Sequence, residues 1–402
     1  MDTTVAGIGA VVVEQLRAAD YMESTIIQKL KSIKALEEFV GQHGGVYTPA
    51  LGHLFAALTI SPRTGRFSPE RRAEFGRLVR LFDSYLATGR VDLSIRKRGG
   101  GGARPTSTAF IALSDAWDAD MAERGLAPAT RSAYGRVARA YLVFLESRGV
   151  HLLDDADAAS VLEFLQWLVE GKWATTSLFW LISNFRPFLA FAGRPDLVDA
   201  VRMAGIRRSH AIVPTLSDQE VSAVLRACAT GTVTARDAAI TLLALTTGLR
   251  ACDIVGLRLA DIDWRTKTIG IVQQKTHNPI TIPVTDLLAD RLASYLLDER
   301  PDSPDRHVFL RSVAPHARLA DHASIYRITA QVFRTAGVTN VKAGTRLLRH
   351  AAASRLLRAA TPLPTISAVL GHASPDSTNG YLSVDQERLM ACVLDVPEGA
   401  RP

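Results

Sequence analysis

The sequence predicts a mainly α-helical, multi-domain protein: helical N-terminal units followed by a mixed α+β domain with a small antiparallel sheet. Three observations predict it. Apolar residues recur at helical spacing along most of the chain, as in Ile26, Ile33, Leu36 and Phe39, or Tyr134, Val137, Ala138, Tyr141 and Leu145. Strand-like alternation is confined to Ile262 through Val284, around turns at Arg265-Thr266-Lys267 and His277-Asn278-Pro279. Two basic stretches with little apolar periodicity interrupt the helical pattern. The 402 residues allow two or three domains, each with its own core.

Residues 1–95 read as a small helical unit. A helix spans Ser24 to Gly44, a second opens at Tyr47-Thr48-Pro49, and a third at Ser68-Pro69-Glu70 runs to Gly89; proline is tolerated in a first helical turn. This unit is either a structural cap or a contact surface for DNA or protein. Residues 96–107 form a linker, Arg96-Lys97-Arg98 followed by four glycines. It serves as a plain tether or lays its cations along phosphates.

Residues 108–195 form a second helical unit. Its helix from Thr130 to Gly149 places Arg136 and Arg139 opposite the apolar face. Phe164, Trp167 and Leu168 read as core, and Thr175, Thr176 and Ser177 as a helix start. This unit echoes the first: Thr25, Phe39 and Gly44 match Thr130, Phe144 and Gly149 at a constant offset of 105, and Lys31 and Lys34 match Arg136 and Arg139. Duplication is one explanation, and shared amphipathic patterning is the other. Residues 196–214 are a basic linker carrying Arg207, Arg208 and His210, read as DNA contact or as an ordinary hinge. Together with Arg131, Arg136 and Arg139, Arg207 and Arg208 are the candidate DNA-binding residues.

The domain at 215–402 opens with a capping-box pattern at Ser217 and Glu220. A long apolar helix from Arg236 to Thr246 is broken by Gly248, which puts Arg250 at the head of the next helix. Helices from Asp286 to Leu297 and from His322 to Ala336 follow the sheet, and a short one from Asp385 to Leu394 closes the chain. That last helix either folds onto its own core or docks elsewhere.

Composition narrows the function classes. Lysine and arginine number 47 against 40 aspartate and glutamate, a net charge of +7 that favours a polyanionic partner. Three cysteines, Cys228, Cys252 and Cys392, form neither a disulfide framework nor a metal pattern, which fits a reducing compartment. The apolar run at residues 6–13 ends at Glu14 and Arg17, too short to span a bilayer. The expectation is a cytoplasmic protein with no membrane partner.

The chemistry concentrates between Gly344 and Tyr381. Arg346, Arg349 and His350 share one helical turn, so their side chains should fan out from one surface patch; His372 follows Leu370-Gly371, and Tyr381 follows a stretch that cannot be regular helix. Two guanidiniums, two imidazoles and a phenol are suited to holding a phosphate oxyanion while a hydroxyl attacks phosphorus. Taken singly, Arg349 could be a surface ion pair, His350 a core histidine and Tyr381 an aromatic under a loop.

The order R-x-x-R-H, L-G-H and Y, with Tyr381 nine positions after His372, resembles the tyrosine recombinase (phage integrase) family. Thr246-Thr247-Gly248-Leu249-Arg250 with Asp253 and Leu257 is similar to the family's first box, and Gln273-Gln274-Lys275-Thr276 to the segment carrying its lysine. The motifs cover about residues 215–395, and 108–195 resembles the helical core-binding domain that precedes them.

The resemblance implies an enzyme that breaks and rejoins DNA at recombination sites through a covalent 3′-phosphotyrosine. Arg250, Arg349 and His372 would bind the nonbridging oxygens, Lys275 would protonate the departing 5′ oxygen, and Tyr381 would be the nucleophile. Where the family has histidine, this chain has Arg346, which adds a phosphate donor but cannot take the tyrosine proton. Asp253 would support the site by orienting His350, or is a plain helix-surface carboxylate. No cofactor or metal is implied, since the phosphotyrosine conserves bond energy for rejoining. A homo-tetramer on double-stranded DNA follows from the family's strand exchange, with an accessory directionality factor as a further partner. The leading expectation is a recombinase of a mobile element or prophage. The alternatives are a chromosome-resolving recombinase and a DNA-binding protein whose catalysis has decayed.

Overall fold

The computed structural model describes residues 3–94, 102–171, 177–203, 214–320, 322–339 and 343–371. They fall into two compact units, one gathering the described residues of 1–96 and 212–402, the other those of 97–211. Both are mainly helical, as the apolar periodicity requires.

In the first unit α1 (Val5–Ala18), α2 (Glu23–Gly41), α3 (Pro49–Ala56) and α4 (Pro69–Thr88) surround a core that includes Ile8, Val12, Leu36, Phe55, Leu78 and Phe82. Local chemistry sets the helix starts. Thr48 Oγ1 accepts from the Leu51 amide and Ser68 Oγ from the Arg71 amide, each followed by a proline in the first turn. Lys29, only 3% exposed, crosses from α2 to donate to Glu74 Oε1 on α4 at 2.6 Å. A buried ammonium survives only with such a partner.

The other unit comprises α5 (Thr108–Glu123), α6 (Pro128–Ser147), α7 (Ala158–Glu170), α8 (Leu178–Phe191) and α9 (Pro195–Met203). Its core is aromatic: Trp117, Tyr141, Phe164, Phe185 and Phe188 are all buried. The Tyr141 hydroxyl, buried by this packing, hydrogen-bonds Ser160 Oγ at 2.8 Å. Trp167, expected in the core, is 45% exposed. The buried stripe of α7 is Val161, Phe164, Leu165 and Leu168, and Trp167 lies beside it, its ring against Phe144 and Phe164. Ser177 precedes α8 without a side-chain cap; Thr175 and Thr176 lie outside the described residues.

Returning to the first unit, α10 (Asp218–Ala229) begins with the expected capping box between Ser217 and Glu220. Next, α11 (Ala235–Leu242) is buried nearly all round and continues as a π-helical turn, Leu243–Thr247, that stops at Gly248. Then come α12 (Ala251–Gly256) and three antiparallel strands in the order β1-β2-β3: β1 (Ile262–Asp263), β2 (Thr268–Val272) and β3 (Pro279–Pro283), with Ile269 opposite Ile282. The remaining helices are α13 (Asp286–Ser294), α14 (His322–Thr335), α15 (Thr345–Arg358) and α16 (Leu363–Leu370). No helix among the described residues is long and apolar enough to cross a membrane.

Candidate active site

Arg250 and Arg349 come together at the end of α16. Gly248 adopts φ 67°, the left-handed region, which ends the π turn and leaves Arg250 as the N-cap of α12. From there Arg250 Nη2 donates to the carbonyl of Gly371 at 2.9 Å. Arg349, one turn into α15, donates from Nη2 to the carbonyl of Leu370 at 2.8 Å and from Nη1 to that of Gly248 at 2.7 Å. Two guanidiniums distant in sequence are thus fixed by adjacent carbonyls at a helix C-terminus, where the peptide dipoles favour cations. The expectation that Arg346, Arg349 and His350 share a surface patch needs correction. Arg349 is 8% exposed, because carbonyls from remote segments replace water around its charge.

Gln273, just after β2, lies in the lysine segment but has no role that the sequence assigns. It is fully buried; its Oε1 accepts from Arg250 Nη1 at 3.0 Å and from Thr276 Oγ1 at 2.8 Å, and its Nε2 donates to the carbonyl of Leu370 at 3.2 Å. One amide therefore links the hairpin, α12 and α16. A signal existed in the sequence: the alternation of β2 carries Ile269 and Ile271 inward, and Gln273 takes the next inward place. Gly371 has to be small and left-handed, with φ 62°; a Cβ there would collide with Gln273 Oε1.

Lys275 lies exposed in the turn of this β2–β3 hairpin, two residues beyond Gln273. Asp253 is buried on α12, and its carboxylate addresses the hairpin: Oδ1 accepts from the Gln274 amide at 2.8 Å, while Oδ2 is buried without a hydrogen-bond partner. The expected orientation of His350 by Asp253 is replaced by this tie, which anchors the base of the lysine turn.

Arg346 is exposed at the start of α15, and His350 follows one turn later, half-buried. Burial first, then the guanidiniums of Arg346 and Arg349, push the His350 imidazole down to about 4. The ring is neutral at pH 7 and a weak base, ill-matched to taking a phenolic proton but able to hydrogen-bond.

Of the candidate DNA-binding residues, Arg131 is committed to Asp118 through both oxygens. Arg136 is exposed and Arg139 half-buried on α6, with Arg104 and Arg136 near enough to repel the Arg139 charge. Arg207, Arg208, His372 and Tyr381 lie outside the described residues, as does the expected helix at 385–394. Among the described residues no cluster of His, Cys, Asp or Glu could hold a metal ion.

Comparisons with known proteins identify the family. Residues 214–388 match the phage integrase family and residues 115–195 the phage integrase N-terminal SAM-like domain. A putative integrase/recombinase of Sinorhizobium fredii is 40% identical over 163 residues, 40% of this chain and 83% of the relative. Tyrosine recombinase XerD of Mycobacterium tuberculosis is 28% identical over 297 residues, covering 70% of this chain and 94% of the relative. Among solved structures, a lambda integrase dimer bound to a COC′ core site superposes with a TM-score of 0.53 at 18% identity, over 72% of this chain and 99% of that one; this shows a shared fold. By motif, site geometry and likeness together, the chain belongs to the phage integrase family of tyrosine recombinases, enzymes that cut and rejoin DNA.

Proposed function

We propose that this recombinase acts through a covalent 3′-phosphotyrosine, with Arg250, Arg349 and His372 on the nonbridging oxygens of the scissile phosphate. The Tyr381 oxygen attacks phosphorus, the bond from phosphorus to the 5′ oxygen breaks, and Lys275 gives that oxygen a proton. The tyrosine proton leaves to water, since His350 is too weak a base and Arg346 offers only donors. Religation is the reverse: the 5′ hydroxyl attacks phosphorus and the phenol departs. The observation that carries this reading is the pairing of Arg250 and Arg349 on the Leu370 and Gly371 carbonyls, immediately before His372. A planar fork of N–H donors held in place neutralises charge without reorganising during the reaction.

In this reading 1–95 and 108–195 are helical units and 215–402 is the catalytic domain, joined by the basic linkers. The partner is double-stranded DNA bearing recombination sites, met in the cytoplasm by four copies of the chain, with an accessory factor setting direction. The sites belong to a mobile element or prophage. A duplex nicked beside the cleavage position tests the chemistry. The full chain should trap as a covalent protein–DNA adduct, and Tyr381→Phe should abolish the adduct while still binding. Binding without adduct by the unaltered chain would instead mark a decayed enzyme.

A further inference from the structure

We propose that residues 3–94 are a second copy of the helical unit at 102–203, and that they bind the phosphate backbone of duplex DNA through Lys31 and Lys34. The duplication is read from the structure residue by residue. At the single offset of 105 seen in the sequence, Val5, Val12 and Leu16 of α1 fall on Phe110, Trp117 and Met121 of α5, and all six are buried. On the next helix Ile33, Leu36 and Val40 fall on Ala138, Tyr141 and Leu145, again all buried.

The connections match as well. After α1 the Tyr21 amide donates to the Leu16 carbonyl at 3.0 Å, and after α5 the Leu126 amide donates to that of Met121 at 3.0 Å. Asp20 and Gly125, again 105 apart, both take positive φ, 57° and 70°. At the far end of the hairpin, the Gly45 amide donates to the Val40 carbonyl at 2.9 Å and the Val150 amide to that of Leu145 at 3.0 Å. The same closure ends α8, α14 and α15, so what speaks for duplication is that both connections recur at the one offset of 105 that also aligns the buried positions. The last helices follow with a slip of one residue: Phe75, Val79 and Phe82 of α4 against Leu181, Phe185 and Phe188 of α8, every one buried.

What the copies keep outside is as informative as what they bury. Lys31 and Lys34 are exposed at the positions that Arg136 and Arg139 occupy on α6. Several neighbouring cations are neutralised: Lys29 by Glu74 and Arg17 by Glu23 in one copy, Arg131 by Asp118 and Arg148 by Glu163 in the other. None of Lys31, Lys34, Arg136 and Arg139 has an ion pair among the described residues. A pair of cations one turn apart, without an ion pair in either copy among the described residues, is complementary to successive phosphates of a strand.

The inference rests on the reading of the chain as a DNA recombinase, and the experiment separates the two. The full chain is titrated with a fluorescent random-sequence duplex of about 40 base pairs at several salt concentrations, comparing Lys31→Gln/Lys34→Gln with Arg136→Gln/Arg139→Gln. The lysine pair should weaken binding about tenfold at low salt and lower the slope of log affinity against log salt by about one per lysine. Lys31→Arg/Lys34→Arg should restore both, which a loss of folding would not allow. An unchanged slope in the lysine variant overturns the second DNA contact, whether or not the arginine variant is impaired. A lysine variant that alters self-association without DNA while leaving the slope intact overturns it in favour of a protein contact. Adduct formation on the nicked duplex, measured in parallel, reports independently on the recombinase reading.

Discussion

Arg349 and Lys275 carry the same formal charge in the same domain under opposite conditions. Arg349 is 8% exposed and donates to two backbone carbonyls; Lys275 stands in solvent on a hairpin turn. The difference follows from the work proposed for each. Neutralising a phosphate oxygen requires a cation that is in place before the charge grows, so rigidity is an advantage. Delivering a proton to a departing oxygen requires approach at the right moment, and an aliphatic stem on a turn supplies reach. The turn is nonetheless anchored, since Asp253 grips the Gln274 amide and Gln273 is locked into the arginine cluster.

The strongest way to break this contrast is to remove the buried cation. Arg349→Ala should lower adduct formation on the nicked duplex by about 10³-fold. It should also destabilise the chain by about 2–4 kcal/mol in urea, because the Gly248 and Leu370 carbonyls lose their donors. Arg349→Lys should recover stability only in part, since an ammonium cannot span both carbonyls with one planar fork.

At the exposed pole, Lys275→Ala should slow cleavage about 10²-fold or more while leaving the urea midpoint unchanged. A substrate with sulfur in place of the 5′ oxygen should restore the rate, because a thiolate leaves without being protonated. Failure of that rescue would remove the lysine from the acid role.

The coupling between the two poles can be sharpened at Gly371. Gly371→Ala places a methyl against Gln273 Oε1 at a left-handed φ. It should cost about 1–3 kcal/mol and weaken cleavage more than Gln273→Leu does, because it disturbs both partners of Arg250.

The smallest expected effect is a pH dependence. The His350 pKa is lowered in the fold to about 4, so the unfolded chain binds a proton there first. The stability this group contributes is complete above about pH 6.5 and declines as pH falls toward 4. Thermal melts from pH 7 to 4.5 should show a shallower decline for His350→Gln than for the unaltered chain.

Much of this architecture could be read from local chemistry. The openings of α3, α4 and α10 follow from Thr48-Pro49, Ser68-Pro69 and the Ser217–Glu220 box, because a cap is decided by residues within one turn. The helix break at Gly248 and the hairpin around Lys275 were legible for the same reason. The burial of Arg349 was not, since the carbonyls that accept from it come from Gly248 and Leu370, remote in sequence. Gln273 was only half legible: the alternation of β2 points it inward, but its partners on Arg250 and Leu370 come from remote segments. Trp167 misled because hydrophobic bulk says nothing about which side of a helix faces the core.

The Leu370–Gly371 peptide end anchors Arg250, Arg349 and Gln273 together. A disturbance of that short terminus therefore loosens both cations together, leaving Arg349 on the Gly248 carbonyl and Arg250 on Gln273 Oε1. The readiness of two charges from distant parts of the chain thus hangs on the placement of a single peptide end.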